Sequence, residues 1–401
     1  MWDKRQLMQR DHKNVLVLGT CQMLSGTGRG LFMVTSPAAA LAIAPHLALV
    51  TLPTALVVVG SALAAMPASL LMRRLGRKTG FICGTSLAVA SGASCTAAVI
   101  LENFWLLSLG GFLYGLFAGF AQLYRFAVAD VASQEFRAKA ISLVLAGGVF
   151  AGLAGPNLAN WGKGLLTNHL FAGSFLFMIG TGLVAAVILL FLSIPNLTKA
   201  QREGPQRSLR EIIKQPVFIT AAISATVAQT VMNFLMTATP VAMISQSGHS
   251  FGSVAMVISW HTVSMYLPGF FTGSLVKRFG EIPMITTGLA LQAACIGVAL
   301  SGIEVFNFWL AMALLGVGWN FSYTAATSLM TTAYTPSERA KTQGMMNQII
   351  YTVVAIGSLS SGALIHFFGW NTVNVGAMPL LVAAAGVTIW FATVKRKGTT
   401  G

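Results

Sequence analysis

Charged residues are scarce in this sequence, and acidic residues are the scarcest. Only 9% of the 401 residues are charged, with 10 Asp or Glu against 25 Lys or Arg. Ordinary soluble domains carry roughly 25% charged residues. Since 55% of the residues are hydrophobic, a water-soluble fold of this length could not bury so much apolar surface. The composition therefore predicts a protein whose solvent is the lipid bilayer.

The sequence also lacks the patterns of several other protein classes. Its four cysteines have no paired spacing, which argues against a disulfide framework or a zinc site. There is no phosphate-binding loop, dinucleotide fingerprint or nucleophile–base set, so we expect neither an enzyme nor an ATP-driven pump, and no cofactor. The net charge of +15 comes from short basic clusters between apolar runs, so we expect no nucleic-acid partner.

Long apolar runs make up most of the chain. About twelve stretches reach roughly 20 residues, the length that crosses a bilayer as a helix. Backbone groups inside a membrane need internal hydrogen bonds, which favours helices. We predict an all-α membrane protein with these spans: 14–41, 47–72, 79–101, 104–130, 139–162, 170–195, 217–244, 252–276, 282–303, 306–333, 341–366 and 371–394.

The basic residues indicate how the helices are oriented. If both termini are cytoplasmic, all but three of the 25 Lys and Arg residues lie in cytoplasmic loops or tails. The exceptions are Lys163, Arg29 and Arg125. Positively charged loops stay on the cytoplasmic side. We therefore predict a multi-pass protein of the bacterial inner membrane, surrounded by lipid, with both termini in the cytoplasm.

The sequence repeats itself once. Residues 69–76 after the second span match residues 273–280 after the eighth, and residues 137–139 match residues 339–341, both about 200 residues apart. Two matches at nearly one offset indicate a duplicated six-helix unit with pseudo-two-fold symmetry. The predicted domains are an N-terminal bundle (1–195), a cytoplasmic linker (196–216) and a C-terminal bundle (217–401).

The loop after the second span carries a recognisable motif. Arg74 and the run Gly76, Arg77 and Lys78 resemble the signature loop of the major facilitator superfamily, although Arg73 stands where that loop has an acid. The resemblance covers the layout of the whole chain. It implies the fold of that superfamily, transport by alternating access and a substrate site near the middle of the membrane.

Two motifs in adjacent spans point to a substrate. Met232 and Met236 lie four residues apart in the seventh span, and His261 and Met265 lie four apart in the eighth. This spacing puts both members of a pair on one helix face. At 1.5 Å per residue, the four groups descend from the outer side past the midplane. Thioethers and imidazole suit Cu(I), although buried methionine is also common packing.

These paired motifs resemble those of the CcoA-like copper importers, a branch of the superfamily. The resemblance implies that Met232, Met236, His261 and Met265 bind copper as transported substrate. It also implies import across the inner membrane for haem-copper oxidase assembly, with a cytoplasmic copper acceptor as a further partner. The same branch contains relatives proposed to carry riboflavin.

Three charged residues fall within spans and keep other readings open. Arg29 lies deep in the first span, and no acidic residue lies at its depth. It could recognise an organic anion, act as a gate, or bond to backbone carbonyls. Arg125 and Asp130 favour a gate or an interfacial anchor. The alternative function is therefore a transporter of a small organic solute such as riboflavin, or a drug exporter. A membrane receptor that binds without turnover is a third possibility.

Overall fold

The structure is a computed structural model that describes residues 4–124, 127–128, 137–194, 207–335 and 338–399, and all regular structure in these ranges is helical. Ten long helices are α1 Lys4–Ile43, α2 Leu52–Leu75, α3 Arg77–Ile100, α4 Phe104–Ala121, α5 Arg137–Gly162, α6 Ala172–Leu189, α7 Pro216–Val241, α8 Phe251–Tyr266 with its continuation Gly269–Phe279, α9 Glu281–Leu300 and α10 Val305–Met330. The last stretch, Arg339–Thr399, turns at Gly369 (φ 75°), and we number its parts α11 (339–368) and α12 (370–399).

The helices are those of a membrane protein. Among the described residues, eight helical stretches are long and apolar enough to cross a membrane, and the two pieces of α8, bent by 42°, make a ninth. One of the eight, Lys341–Val394, contains both α11 and α12. Each of the twelve predicted spans overlaps one of the helices α1 to α12. The prediction of an all-α membrane fold is confirmed.

Local sequence explains several helix ends. Asn103 caps α4 by accepting hydrogen bonds from the backbone N–H groups of Trp105 and Leu106 at 3.0 and 3.1 Å. Pro216 is the first residue of α7. At this position an N–H group has no partner within the helix, so proline loses no helical hydrogen bond there. Such caps satisfy the free N–H groups at a helix start.

The internal repeat is visible in the backbone. Gly76 joins α2 to α3 with φ 86° and ψ 156°, and Gly280 joins α8 to α9 with φ 87° and ψ 166°. Positive φ at this angle favours glycine. The two matched loop motifs therefore make the same turn at equivalent positions of the two halves.

Small residues let the helices within each half approach closely. A β-carbon on Gly115 of α4 would lie 2.3 Å from the Val57 carbonyl oxygen of α2. In the second half, a β-carbon on Gly288 of α9 would lie 2.6 Å from the Gly318 carbonyl oxygen of α10. Close backbone contact through glycine is typical of membrane helices, which pack without a hydrophobic driving force.

The two halves meet along two helix pairs. On one side α5 packs on α8, where a β-carbon on Gly148 would lie 2.7 Å from the Tyr266 ring. On the other side α2 packs on α11, where a β-carbon on Gly362 would lie 2.2 Å from the Thr51 hydroxyl. Substrate sites of such bundles lie between these pairs, at the interface of the halves.

The two ends of the bundle differ. One end, which we call the basic face, carries Arg77, Lys214 and Arg278 at or near helix termini. At the other end, the opposite face, aromatic rings join the halves. His46 and His366 have ring centroids 5.3 Å apart, and Phe171 and Phe251 lie 5.1 Å apart. The halves are therefore in contact at the opposite face.

Candidate functional site

The two predicted ligand motifs both pack against α10. α10 lies between α7 and α8, and it contacts both helices far more extensively than they contact one another. Met312 of α10 marks the meeting point: its carbonyl oxygen lies 2.8 Å from His261 Nδ1, and its sulfur lies 3.3 Å from the Thr239 hydroxyl of α7. The structure thus joins the motifs through a third helix.

His261 is fully buried and held in one tautomer. A carbonyl oxygen can only accept, so Nδ1 carries the proton and donates it to Met312. Nε2 then bears a lone pair. Nε2 has no hydrogen-bond partner among the described residues. A fixed imidazole with an open nitrogen can bind a metal ion or accept a hydrogen bond from a solute.

The three methionines are buried around α10. Met232, Met236 and Met265 are 1%, 8% and 7% exposed. Met232 precedes Thr239 by seven residues and therefore shares its face of α7, which is turned toward α10. The Met265 carbonyl oxygen accepts a hydrogen bond from Asn320 Nδ2 of α10 at 2.7 Å. Copper ligation by the four residues remains a prediction.

The same asparagine spans the break in α8. Asn320 Nδ2 donates to Met265 before the break, and the Thr272 hydroxyl after the break donates to Asn320 Oδ1 at 2.6 Å. Pro268 lies between the two pieces and removes a helical N–H donor. Asn320 therefore ties both pieces of the bent helix to α10.

A second group of side chains lies at the same interface. Trp319 Nε1 donates to Gln229 Oε1 across 2.7 Å. The Trp319 ring stacks on Tyr323 with centroids 5.2 Å apart and planes within 15°. Tyr266 meets Trp319 edge-on at 6.5 Å. We call Gln229, Tyr266, Trp319 and Tyr323 the amide–aromatic cluster.

The amide–aromatic cluster faces the other half of the molecule. Tyr266 rests on Gly148 of α5, and the three rings are only half-buried. Nearby, a cavity of about 410 Å³ lies between α7 and α11 on the side of the basic face, with almost wholly apolar walls that include Phe218, Thr226 and Ile349. Aromatic walls with a few polar groups are typical of sites for small organic ligands.

The sequence did not reveal this cluster. The sequence alone assigned no role to Trp319 or Gln229. A pair of amides four apart, Gln229 and Asn233, and a pair of aromatics four apart, Trp319 and Tyr323, were the available signals. Polar side chains within a span are functional candidates.

Arg29 lies in α1 beside the glycines that pack on α5. The neighbouring glycines take the packing contacts: Gly26 and Gly30 approach Ala151 and Pro156 of α5. Arg29 is half-buried, and it makes no hydrogen bond or ion pair with a described residue. Because Arg29 follows Gly26 by three residues, it lies on a neighbouring part of the same helix surface. The other two charged candidates, Arg125 and Asp130, lie outside the described residues.

Comparison with known proteins places the chain. The family model described as Major Facilitator Superfamily matches residues 18–259 and 221–401. The riboflavin transporter RfnT of Brucella anthropi is 36% identical over 371 residues, which cover 92% of this chain and 93% of that protein. The uncharacterized MFS-type transporter YddS of Bacillus subtilis is 30% identical, covering 85% and 82% of the two chains.

Solved structures agree on the fold. The human organic anion transporter MFSD10 (TETRAN) matches with a TM-score of 0.69 at 13% identity, over 94% of this chain and 99% of that one. A bacterial homolog of the human lysosomal transporter Spinster matches with a TM-score of 0.70 at 15% identity, over 94% and 96%. The chain therefore belongs to the major facilitator superfamily of membrane transporters.

Proposed function

We propose that this protein is a secondary transporter of riboflavin or a closely similar planar heteroaromatic solute. The observation that carries the proposal is the amide–aromatic cluster at the interface of the two halves. The similarity to the Brucella anthropi riboflavin transporter over nearly the whole of both chains supports it. This reading replaces copper import as the leading hypothesis, because the relatives found do not support a copper substrate.

The chemistry of the site fits such a solute. A planar ring system gains from stacking on Trp and Tyr, and the stacked pair Trp319–Tyr323 offers such a wall. Amide groups such as that of Gln229 can hydrogen-bond to ring carbonyl and N–H groups. Arg29 offers five N–H donors toward the polar side chain of the solute. The apolar cavity between α7 and α11 suits the hydrocarbon part of a ring.

Transporters of this superfamily work by alternating access. The two halves of this chain touch at the opposite face through His46–His366 and Phe171–Phe251, while the cavity between α7 and α11 lies toward the basic face. We place the basic face in the cytoplasm of a bacterium, with both termini there and the chain in the inner membrane. The solute then enters from the opposite face and leaves at the basic face, without enzymatic chemistry.

Uptake of radiolabelled riboflavin tests the proposal. Cells unable to make riboflavin and lacking their own transporter receive either this gene or an empty vector. We expect growth on low external riboflavin and saturable uptake only with the gene. Normal membrane abundance without riboflavin uptake would contradict the proposal. Reporter fusions at both termini test the orientation in the same cells.

Copper import is the second candidate, and one observation favours it. His261 Nε2 is an open, buried ligand nitrogen with Met265 one turn away, and soft sulfur and imidazole groups suit Cu(I). A cytoplasmic copper acceptor would be its partner. If copper is the substrate, His261→Leu abolishes radioactive copper uptake at unchanged membrane abundance. If riboflavin is the substrate, the same variant keeps riboflavin uptake close to that of the wild type.

A further inference from the structure

We propose that one polar stripe of α7 recognises the solute. Gln229 and Asn233 bind the hydrogen-bonding edge of its pyrimidinedione ring. Thr226 and Thr230 bind the hydroxyls of its side chain. This inference rests on the function proposed above and assigns the groups that distinguish flavins from other planar solutes. Trp319 acts as a positioning residue for Gln229.

The stripe follows from helical spacing. Thr226, Thr230, Asn233 and Thr237 are spaced four, three and four residues apart, so they form one line along α7, with Gln229 beside it. A β-carbon on Gly357 of α11 would lie 3.2 Å from Thr230 Cγ2, and Gln229 contacts Trp319 of α10. The stripe therefore lies on the side of α7 between α10 and α11, where the cavity is.

The orientation of the Gln229 amide is fixed. The indole N–H of Trp319 can only donate, so the atom 2.7 Å away must be the amide oxygen. The amide nitrogen then points elsewhere with both of its hydrogens available. No hydrogen bond from Gln229 Nε2 to a described residue is present, and Gln229 is 8% exposed. Gln229 is thus a free donor suited to a ring carbonyl.

Asn233 supplies the complementary acceptor. Its Nδ2 lies 3.4 Å from the backbone carbonyl oxygen of Gln229. The Asn233 Oδ1 is therefore directed away from that contact, and it has no hydrogen bond to a described residue. Gln229 and Asn233 are one turn apart, about 6 Å along the helix. Side chains one turn apart on the same helix face can converge, so the Gln229 donor and the Asn233 acceptor can meet adjacent carbonyl and N–H groups of a pyrimidinedione edge.

The two threonines are polar groups without partners. Thr226 and Thr230 are 7% and 4% exposed, and the hydroxyl oxygen of each has no hydrogen-bond partner among the described residues. A buried hydroxyl without a partner is costly. A threonine in a membrane helix can bond the carbonyl four residues before, as Thr239 does to Leu235 at 2.8 Å. Two that do not, one of them lining the cavity, are placed to bond a solute's hydroxyl groups.

Competition between flavin analogues tests the proposal. Radiolabelled riboflavin uptake is measured against unlabelled riboflavin, 3-methylriboflavin, whose ring N–H is blocked, and lumiflavin, which has a methyl group in place of the ribityl chain. We expect each analogue to compete about tenfold less well than riboflavin with the wild type, the effect of roughly one lost hydrogen bond. Selectivity ratios do not depend on expression, so a poorly expressed variant remains informative.

Matched variants show which side chains discriminate against each of the two analogues. In Asn233→Leu, unlabelled riboflavin and 3-methylriboflavin should compete equally well for uptake. Asn233→Asp keeps an acceptor and should keep the discrimination between them. The double change Thr226→Val with Thr230→Val should lose the discrimination against lumiflavin and keep that against 3-methylriboflavin.

The outcomes separate the two proposals. Riboflavin uptake in which both analogues compete as well as riboflavin overturns the stripe and leaves the function standing. Discrimination that is unchanged in Asn233→Leu and in the threonine double variant does the same. Absence of any flavin uptake by the wild type overturns both.

Discussion

At the scale of single residues, Trp319 connects the two parts of the candidate site. Its ring belongs to the aromatic wall with Tyr323, and its N–H holds the Gln229 amide. A side chain with both contacts fixes the distance between a stacking surface and a hydrogen-bonding group. Such positioning stabilises a bound solute by reducing the ordering that binding requires.

We predict that Trp319→Phe weakens riboflavin binding about tenfold, because it keeps a ring but loses one hydrogen bond that orients Gln229. The variant should also lose part of its discrimination between riboflavin and 3-methylriboflavin, which a simple packing defect would not change. Trp309→Phe is the matched control, since Trp309 packs beside Trp260 near the start of α10. Equal affinities of Trp319→Phe and wild type would contradict the positioning role.

Spacing in the sequence could predict which side chains share a helix face, and no more. The four-residue spacing of Met232–Met236 and His261–Met265 is a local property, so those pairs were found. The Gln229–Trp319 bond joins residues 90 positions apart, and only the packing of α7 on α10 creates it. For the same reason, the spacing could not show that α10 lies between the two ligand motifs.

At the scale of elements, the linker is anchored to the second half. Glu338, which is 1% exposed, accepts hydrogen bonds from Arg207 Nε at 2.9 Å and Nη2 at 2.6 Å, and from the Arg207 backbone N–H at 2.7 Å. Gln215 Nε2 donates to the Ala333 carbonyl oxygen at 3.0 Å. The short linker helix Leu209–Ile213 is therefore held on the basic face by the ends of α10 and α11.

We predict that Glu338→Gln exposes the linker to protease. The change removes the negative charge from the bonds that hold Arg207, so cleavage by trypsin at Arg207 and Arg210 should become several-fold faster at unchanged helix content. Glu211→Gln is the matched control, because it removes a linker carboxylate that bonds the Ser208 hydroxyl and leaves the Glu338 pair intact. Equal cleavage rates in the wild type and Glu338→Gln would contradict the anchoring.

The ion pair between Arg207 and Glu338 should persist throughout the physiological pH range. Hydrogen bonds from the Arg207 side chain are the largest cause that lowers the pKa of Glu338 well below its ordinary range. A carboxyl whose pKa is lower in the folded state stabilises the fold fully above its unfolded pKa of about 4.3, and this contribution decreases as the pH falls toward the folded-state pKa. Trypsin resistance of the linker should therefore not change between roughly pH 6 and 8. A marked loss within that interval would contradict the assignment.

The elements themselves were largely predictable. Runs of apolar residues, Pro216 at the start of α7 and glycines at the repeated turns are local signals, and the structure places a helix at each predicted span. The bend of α8 was not predicted as such. Pro268 allows it, but the Asn320 bonds to Met265 and Thr272 that hold it come from another helix. The boundaries of the two bundles and the linker remain predictions.

At the scale of the whole molecule, contact at the opposite face depends on one glycine of α11. A β-carbon on Gly362 would lie 2.2 Å from the Thr51 hydroxyl and 2.8 Å from the Ala48 carbonyl oxygen. The stretch from His46 to Thr51 meets α11 there. Interfaces of this kind have discrete arrangements, so a bulky residue should favour separation of the halves.

We predict that Gly362→Leu opens the opposite face. In a variant without the four native cysteines, His46→Cys and His366→Cys should be joined efficiently by a short thiol cross-linker, since the two rings are 5.3 Å apart. Adding Gly362→Leu should reduce the yield several-fold. Gly376→Leu is the control, because a β-carbon there has no neighbour within 4 Å. An unchanged yield in Gly362→Leu would contradict this account of closure.

Sequence and structure differ most at this scale. The duplicated motif and the basic loops indicated two related bundles, because each is a pattern that can be recognised in the sequence alone. The pairing of α5 with α8 and α2 with α11 depends on which arrangement the halves adopt, and no local pattern encodes that. The substrate hypothesis changed for a related reason. Methionine and histidine spacing is visible in the sequence and favoured copper, whereas the amide–aromatic cluster forms only when α7, α8 and α10 pack together.

The most direct test of the central claim is equilibrium binding of riboflavin to the purified protein in lipid nanodiscs, followed by flavin fluorescence. Stacking on Trp319 and Tyr323 should quench the fluorescence in a saturable way, and Trp319→Ala should remove most of the quenching. Saturable binding of copper by the same preparation, with no change in flavin fluorescence at any riboflavin concentration, would contradict the claim.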